Sequence, residues 1–379
     1  MIYILIFLSA FYVSIILYHL IGWELTKDIP LTDTAGNMPF CTIIVPVRNE
    51  EKNISACLDS LLEQNYAGDY EVIVVDDHST DETTAIVQHR IGKLFVNGHR
   101  HLKLLRFEGE QQIGKSYKKQ AITKAIAAAT GDIILTTDGD CSRGNNWLTV
   151  MVSTMEQQQL QLLSGPVGFN HNNHFEALQA LEFWGLIGIG GAAIRMGTPN
   201  MCNGANMAYR KKVFYEVNGY AGNDHLSSGD DEFLMHKVYA KYPGGVKFVK
   251  NKAAVVTTHA MPDTASLMQQ RKRWVSKSTS YQARIITVLM SLVYLYNLSI
   301  VFCGVYAWFN PAYLTYFAAM LFAKAFTEAL FLYRVLRQFN QLKLLWYMWV
   351  AEPLHILYVL YVGIAGLSGS YEWKGRQVK

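Results

Sequence analysis

Three observations in this 379-residue chain predict an α/β fold, a mainly parallel sheet flanked by helices, joined to transmembrane helices. Strand-like and helix-like segments alternate from residue 40 onward, the order of parallel strands linked by crossover helices. Polar, acid-rich clusters follow several strands directly, where such sheets collect their ligands. Apolar residues make up 51% of the chain and crowd into its first 22 residues and its C-terminal third. The net charge of +4 sets up no basic field, and no nucleic-acid partner is expected.

Residues 1–22, MIYILIFLSAFYVSIILYHLIG, carry no acidic or basic side chain except His19. At about 1.5 Å per residue they match a bilayer core, and without a basic start or a small-residue cleavage site they read as a retained anchor. A linker over 23–39 follows. CTIIVPV (41–47) is a β-branched strand, and Glu50–Gln64 has helical spacing through Ile54, Cys57, Leu58, Leu61 and Leu62. EVIVV (71–75) is the next strand, and Ser79-Thr80-Asp81-Glu82 resembles a capped helix start. LKLLRF (102–107), a helix over Lys115–Ala129 and DIILTT (132–137) continue the alternation. An amphipathic interface helix over 263–282 closes a domain expected at 40–282.

Apolar stretches at 284–310, 312–334 and 345–368 predict about three C-terminal membrane segments within 283–368, ahead of a basic tail at 369–379. Lys272, Arg273, Lys277 and Arg284, and then Arg334, Arg337 and Lys343, flank these segments and place the body in the cytoplasm. If every segment crosses, the tail with Lys374, Arg376 and Lys379 emerges outside. If the segment holding Glu352, Pro353 and His355 is broken or re-entrant, the tail returns, and the sequence leaves both open. Cys41, Cys57, Cys141 and Cys202 fit neither zinc nor disulfide spacing and read as reduced thiols.

Three clusters carry the chemistry. In Thr136-Thr137-Asp138-Gly139-Asp140, two carboxylates one residue apart form either a glycine-relieved turn or a site for a hard divalent cation completed by phosphate oxygens. In Gly229-Asp230-Asp231-Glu232-Phe233-Leu234, three carboxylates open a helical pattern. The helix dipole accounts for one or two of them, and a general base accounts for another. In Gln270-Arg271-Lys272-Arg273-Trp274, a basic, aromatic flank to a membrane segment is also a guanidinium suited to phosphate beside a stacking ring. His78, His225 and His259 are scattered and read as loop or structural histidines.

In order, VPVRNE, VVDDHSTD, GK, TTDGD, CNGAN, GDDEFL and QRKRW resemble the motif series of membrane-anchored, inverting family 2 glycosyltransferases of GT-A fold, the branch that includes cellulose, chitin and hyaluronan synthases. The likeness runs from the strand at 41 to Trp373-Lys374-Gly375-Arg376. It implies that Pro46, Arg48, Asn49, Glu50, Asp76 and Asp77 line the donor pocket, with Asp77 facing the base and Lys115 near the diphosphate. It makes Asp138 and Asp140 the DxD pair, with Asp140 coordinating Mg²⁺ or Mn²⁺ and Asp138 shared between metal and donor. Cys202, Gly204 and Asn206 would form an acceptor-side loop, and Gln270, Arg273 and Trp274 would frame the acceptor and the diphosphate. Asp231 would be the catalytic base. Many relatives place glutamate where Asp230 stands, so Asp230 and Asp231 both remain candidates.

The implied activity is transfer of a sugar from a nucleotide-sugar donor, a UDP-sugar, to a lipid or glycan acceptor on the cytoplasmic face of a bacterial inner membrane. The alternative within the same chemistry is a processive β-polysaccharide synthase, which would need a partner subunit or an oligomer to enclose a polymer channel. A non-catalytic scaffold with a GT-A domain would be marked by loss of the metal pair or the base, and this chain keeps both. A transporter would concentrate its polar motifs in the spans, whereas here they lie in the soluble body.

Overall fold

The structure, a computed structural model, describes residues 1–28, 38–96, 102–107, 116–223, 226, 229–276, 284–365, 371–373 and 376–378. Lys115 and His225 lie outside the described residues. The chain divides into two compact units, one of residues 25–170 and 193–259 and the other of 1–24, 171–192 and 260–379.

The chain opens on α1 (Ile2–Leu25), apolar on all sides, and enters the first unit through β1 (Cys41–Val47), α2 (Ile54–Leu62), β2 (Tyr70–Asp76), α3 (Thr83–Val96) and β3 (Leu102–Arg106). Then come α4 (Tyr117–Ala128), β4 (Ile133–Thr136), β5 (Ser142–Arg143), α5 (Trp147–Gln157), β6 (Leu162–Ser164) and β7 (Val167–Asn170). After α6 (His174–Arg195) the first unit resumes with β8 (Met207–Arg210), α7 (Lys211–Glu216), α8 (Asp230–Lys241), β9 (Val246–Phe248) and β10 (Val256–His259).

Seven strands form one sheet in the order β3-β2-β1-β4-β8-β6-β9. β1 pairs in parallel with β2 and with β4, and β2 with β3. β8 runs antiparallel to β4 and β6, which makes the mainly parallel sheet a mixed one at that point. Ile43, Ile44 and Val72–Val75 are fully buried, because helices cover both faces of a parallel sheet. Val47 pairs with Asp76, so neighbouring parallel strands end together and their polar successors share one edge. The chain leaves β1 first towards β2 and later towards β4 on its other side, a strand-order reversal of the kind that opens a ligand crevice. β5, β10 and β7 form a separate three-stranded sheet.

The second unit contains α1, α6, α9 (Thr264–Ser276), α10 (Arg284–Tyr306), α11 (Ala312–Gln338), α12 (Met348–Ala365) and a hairpin of β11 (Tyr371–Trp373) and β12 (Arg376–Val378). Among the described residues, five helices are long and apolar enough to cross a membrane: the four expected from the sequence, and α6. α6 escapes a reading by charge because Glu176, Gln179 and Glu182 interrupt its first turns. It is mostly buried, with Trp184 stacked on Phe339 at 4.6 Å and Gly188 placed where a Cβ would strike Val335. Tyr12 of α1 stacks on Tyr296 of α10 at 4.4 Å, and the Tyr296 hydroxyl donates to the Met320 carbonyl of α11 at 2.8 Å. β11 packs against α9.

Candidate active site

The ends of β1 and β2 form one braced corner. Asn49 sits in left-handed backbone at φ 52°, and its side-chain oxygen accepts from the Thr80 N–H at 2.9 Å, while its own N–H donates to Ser79 Oγ at 3.0 Å. Glu50 N–H donates to Thr83 Oγ1 at 2.8 Å. Asp76 accepts from the Ser79 N–H at 3.2 Å, and the Arg48 guanidinium donates to the Asp77 carbonyl at 3.1 Å. Asp76 and Asp77 are both buried, and His78 Nδ1 lies 3.0 Å from Asp77 Oδ1. Pro46, whose missing N–H removes one ladder bond, is half-buried in the last turns of β1.

At the end of β4 the chain turns through Asp138-Gly139-Asp140, closed by Cys141 N–H donating to the Asp138 carbonyl at 3.2 Å. A Cβ on Gly139 would lie 2.7 Å from Val47 Cγ1 and 3.3 Å from Glu50 Cγ, so glycine lets this turn press against the β1 corner. Burial pushes the neighbouring Cys57 and Cys141 thiols up, Cys141 well above its ordinary value, which keeps both protonated and weakly nucleophilic. No group of three or more His, Cys, Asp or Glu among the described residues could hold a metal ion unaided. Asp138 and Asp140, two carboxylates one residue apart in this turn, are the residues that could share a hard cation of the Mg²⁺ or Mn²⁺ kind, one that would take the rest of its shell from donor phosphates and water.

Facing this turn is Lys118 of α4. Its Nζ lies 2.9 Å from Asp138 Oδ1 and 3.6 Å from Asp230 Oδ2. Burial lowers its pKa, but the Asp138 and Asp230 carboxylates, with Asp231 beyond them, outweigh that and raise it, so the ammonium stays charged. The adjacent Lys119 donates instead to the Asn223 and Leu226 carbonyls at 2.6 and 2.8 Å.

Asp230, Asp231 and Glu232 occupy the first turn of α8, where the dipole favours negative charge, after Gly229 in left-handed backbone at φ 77°. Asp231 Oδ2 accepts from the Gly204 N–H and its Oδ1 from the Glu232 N–H, each at 2.8 Å. Gly204 is anchored in turn by Thr136 Oγ1 donating to its carbonyl at 2.8 Å, so the base candidate is linked through one loop to β4. Asn206, expected on the acceptor side, is fully buried: its amide donates to the Pro166 and Ala254 carbonyls and accepts from Trp147 Nε1. It pins the loop from inside and presents nothing to a ligand. Cys202 is half-buried.

Gln270, Arg273 and Trp274 lie in the second unit on α9. There the fully buried Arg271 pairs with Glu182 of α6 at 2.8 Å and stacks its guanidinium 4.3 Å above the Trp274 ring, which also meets Phe183 at 5.8 Å. A guanidinium held by a carboxylate and laid on an indole fixes the ring's orientation.

In the first unit the structure thus gathers Arg48, Asn49, Glu50, Asp76, Asp77, Asp138, Asp140, Asp230, Asp231 and Gly204 at the carboxyl edge of the sheet. It adds Lys118 and Thr136, which sequence reasoning did not single out. The family model for glycosyl transferase family 2 matches residues 42–217, and that for glycosyl transferase family group 2 matches residues 133–364, more than half of the chain. The glycosyltransferase AglE of Haloferax volcanii is 32% identical over 197 residues, 52% of this chain and 60% of that protein. An N-acetylglucosaminyltransferase of Neorhizobium galegae is 27% identical over 259 residues, 66% of this chain and 56% of that protein. The chain spans less than two thirds of the length of either relative. Among solved structures, the mannosyltransferase PcManGT from Pyrobaculum calidifontis, in complex with GDP-Man and Mn²⁺, has a TM-score of 0.58 at 20% identity and covers 97% of both chains. Fold and motif series together define a GT-A architecture. The chain belongs to glycosyltransferase family 2.

Proposed function

We propose that this protein moves one sugar, with inversion, from a nucleotide-sugar donor to a membrane-associated acceptor, a lipid or a lipid-linked glycan, on the cytoplasmic side of a bacterial inner membrane. The observation that supports this most is the seating of Asp231. Each of its oxygens accepts a backbone N–H, which fixes the orientation of the carboxylate proposed to take the incoming hydroxyl's proton. The acceptor oxygen attacks the anomeric carbon as the bond from that carbon to the diphosphate oxygen breaks. The hydroxyl proton passes to Asp231, and the bonding pair leaves with the nucleotide diphosphate. A divalent cation held by Asp140 and Asp138 would supply countercharge to that leaving group.

The braced corner of Arg48, Asn49, Glu50, Asp76 and Asp77 is assigned to the base and ribose of the donor. Gln270, Arg273 and Trp274 are assigned to the acceptor and the diphosphate. PcManGT is in complex with GDP-Man, which makes a GDP-sugar the natural comparison to the UDP-sugar expected from the sequence. Because β11 packs against α9, a C-terminal tail on the same side as α9 fits best with α12 not completing a full crossing.

The assignment of Asp231 is tested by substitution. Asp231→Asn should lower kcat by about a hundredfold to ten-thousandfold with donor affinity nearly unchanged, while Asp230→Asn, which removes a partner of Lys118, should lower it less. Near-normal turnover in Asp231→Asn would remove Asp231 from the mechanism.

A further inference from the structure

We propose that Lys118 is a built-in counter-cation for Asp138 and Asp230 that a divalent ion has to displace, so that ion binding becomes conditional on the donor's diphosphate. The proposal rests on the reading of Asp138 and Asp140 as the cation-binding pair. Lys118 is the second residue of α4, and its Nζ bridges the Asp138 carboxylate at the end of β4, 2.9 Å away, and the Asp230 carboxylate at the start of α8, 3.6 Å away. A single ammonium therefore occupies an oxygen of the DxD turn that an ion would use, and its charge repels an approaching cation. The position is particular to this side chain. Lys119, next along the helix, donates to the Asn223 and Leu226 backbone carbonyls.

The chemistry of the ligand set completes the argument. Two carboxylates and water hold a small hard ion weakly, and phosphate oxygens complete its shell. Without a donor, the ion competes against an ammonium already seated within the same fold. When the diphosphate arrives, it offers oxygens to the ion and an acceptor to the released ammonium, which is a natural phosphate partner. Ion and nucleotide then bind with positive coupling, and the coupling is reciprocal, so each raises the affinity of the other by the same factor. No covalent bond changes in this exchange.

The experiment is a titration of the full-length protein in detergent with Mn²⁺, reading the free ion by its electron paramagnetic resonance signal, with no nucleotide, with GDP and with UDP. Wild type should bind Mn²⁺ weakly alone and on the order of tenfold more tightly with the nucleotide of its donor. Lys118→Met should bind Mn²⁺ alone on the order of tenfold more tightly than wild type and lose most of the nucleotide's effect. Lys118→Arg, which keeps the charge, should follow wild type. Equal or weaker Mn²⁺ affinity in Lys118→Met without nucleotide overturns the proposal, and Lys118→Gln provides the same comparison should the Met variant not fold. Asp140→Asn separates the two layers. If it binds Mn²⁺ as wild type does, the cation-pair reading itself is wrong; if it loses binding while Lys118→Met matches wild type, only the role of Lys118 is.

Discussion

Asp231 and Asp230 are chemically identical neighbours that the structure gives different surroundings. Asp231 is gripped by two backbone N–H groups, whereas Asp230 faces the Lys118 ammonium. The proposal of Asp231 as the base rests on that seating, a choice the bare sequence left open, because spacing alone does not show which carboxylate the backbone N–H groups hold. Away from the crevice, Glu71 shows how tightly the sheet's other end is tied. It accepts from Thr42 Oγ1 at 2.8 Å, the Thr130 N–H at 2.7 Å and Lys103 Nζ at 2.6 Å. Burial raises its pKa, but the Lys103 ammonium and the Thr130 and Thr42 donors outweigh that and hold it at about 2. The folded value lies below the unfolded one of about 4.3, so the stabilisation is complete above the unfolded value and is lost as pH falls towards 2. Urea midpoints should therefore drop between about pH 4 and pH 2, and less steeply in Glu71→Gln; identical slopes would show that Glu71 contributes nothing to acid stability. Lys118 was hidden in the sequence for a related reason. Lys115, Lys118, Lys119 and Lys124 look like one solvated basic face, and only the fold shows that one of them turns to the carboxylates.

Among the elements, the long ones were legible and the short ones were not. β1, β2 and β4 announce themselves as unbroken β-branched or aliphatic runs because both faces of a parallel sheet are buried. β5, β7 and β10 are two to four residues long, too short for any period to register, and their three-stranded sheet could not be foreseen. The apolar helices were legible by length, but what binds them was not. Lys324 of α11 is fully buried and donates to Glu328 and to Glu352 of α12, each at 2.7 Å, and Tyr12 of α1 donates to Glu328. His355 Nδ1 lies 3.4 Å from the same ammonium. Three helices thus meet on one lysine, and sequence reading caught only Glu352 and His355, as a break in an apolar run. Lys324→Met leaves two buried carboxylates facing each other and should cost roughly 3–5 kcal/mol, seen as a lower unfolding temperature in detergent, with Lys324→Met/Glu352→Gln recovering part of the loss. Melting at the wild-type temperature would mean that the lysine does not hold the helices.

For the molecule as a whole, the family, the GT-A fold and the apolar helices agree with the order of motifs along the chain. The acid-rich segments at the strand ends were legible because a parallel sheet gathers the residues after its strands on one edge, whatever the loops between them do. The inward placement of Asn206 was not legible, because a polar residue in a motif loop looks the same in sequence whether it faces a ligand or ties the loop to Trp147 and Pro166 from within. The central claim joins the catalytic edge to a membrane acceptor, and one measurement bears on it directly. Membranes containing the protein are incubated with radiolabelled UDP- and GDP-sugars, and the products are partitioned between lipid-soluble and polymeric fractions. The account predicts label from one donor in a lipid-extractable product carrying a single added sugar, and none from membranes containing Asp231→Asn. A ladder of polymer, or equal labelling by the Asp231→Asn membranes, would contradict it.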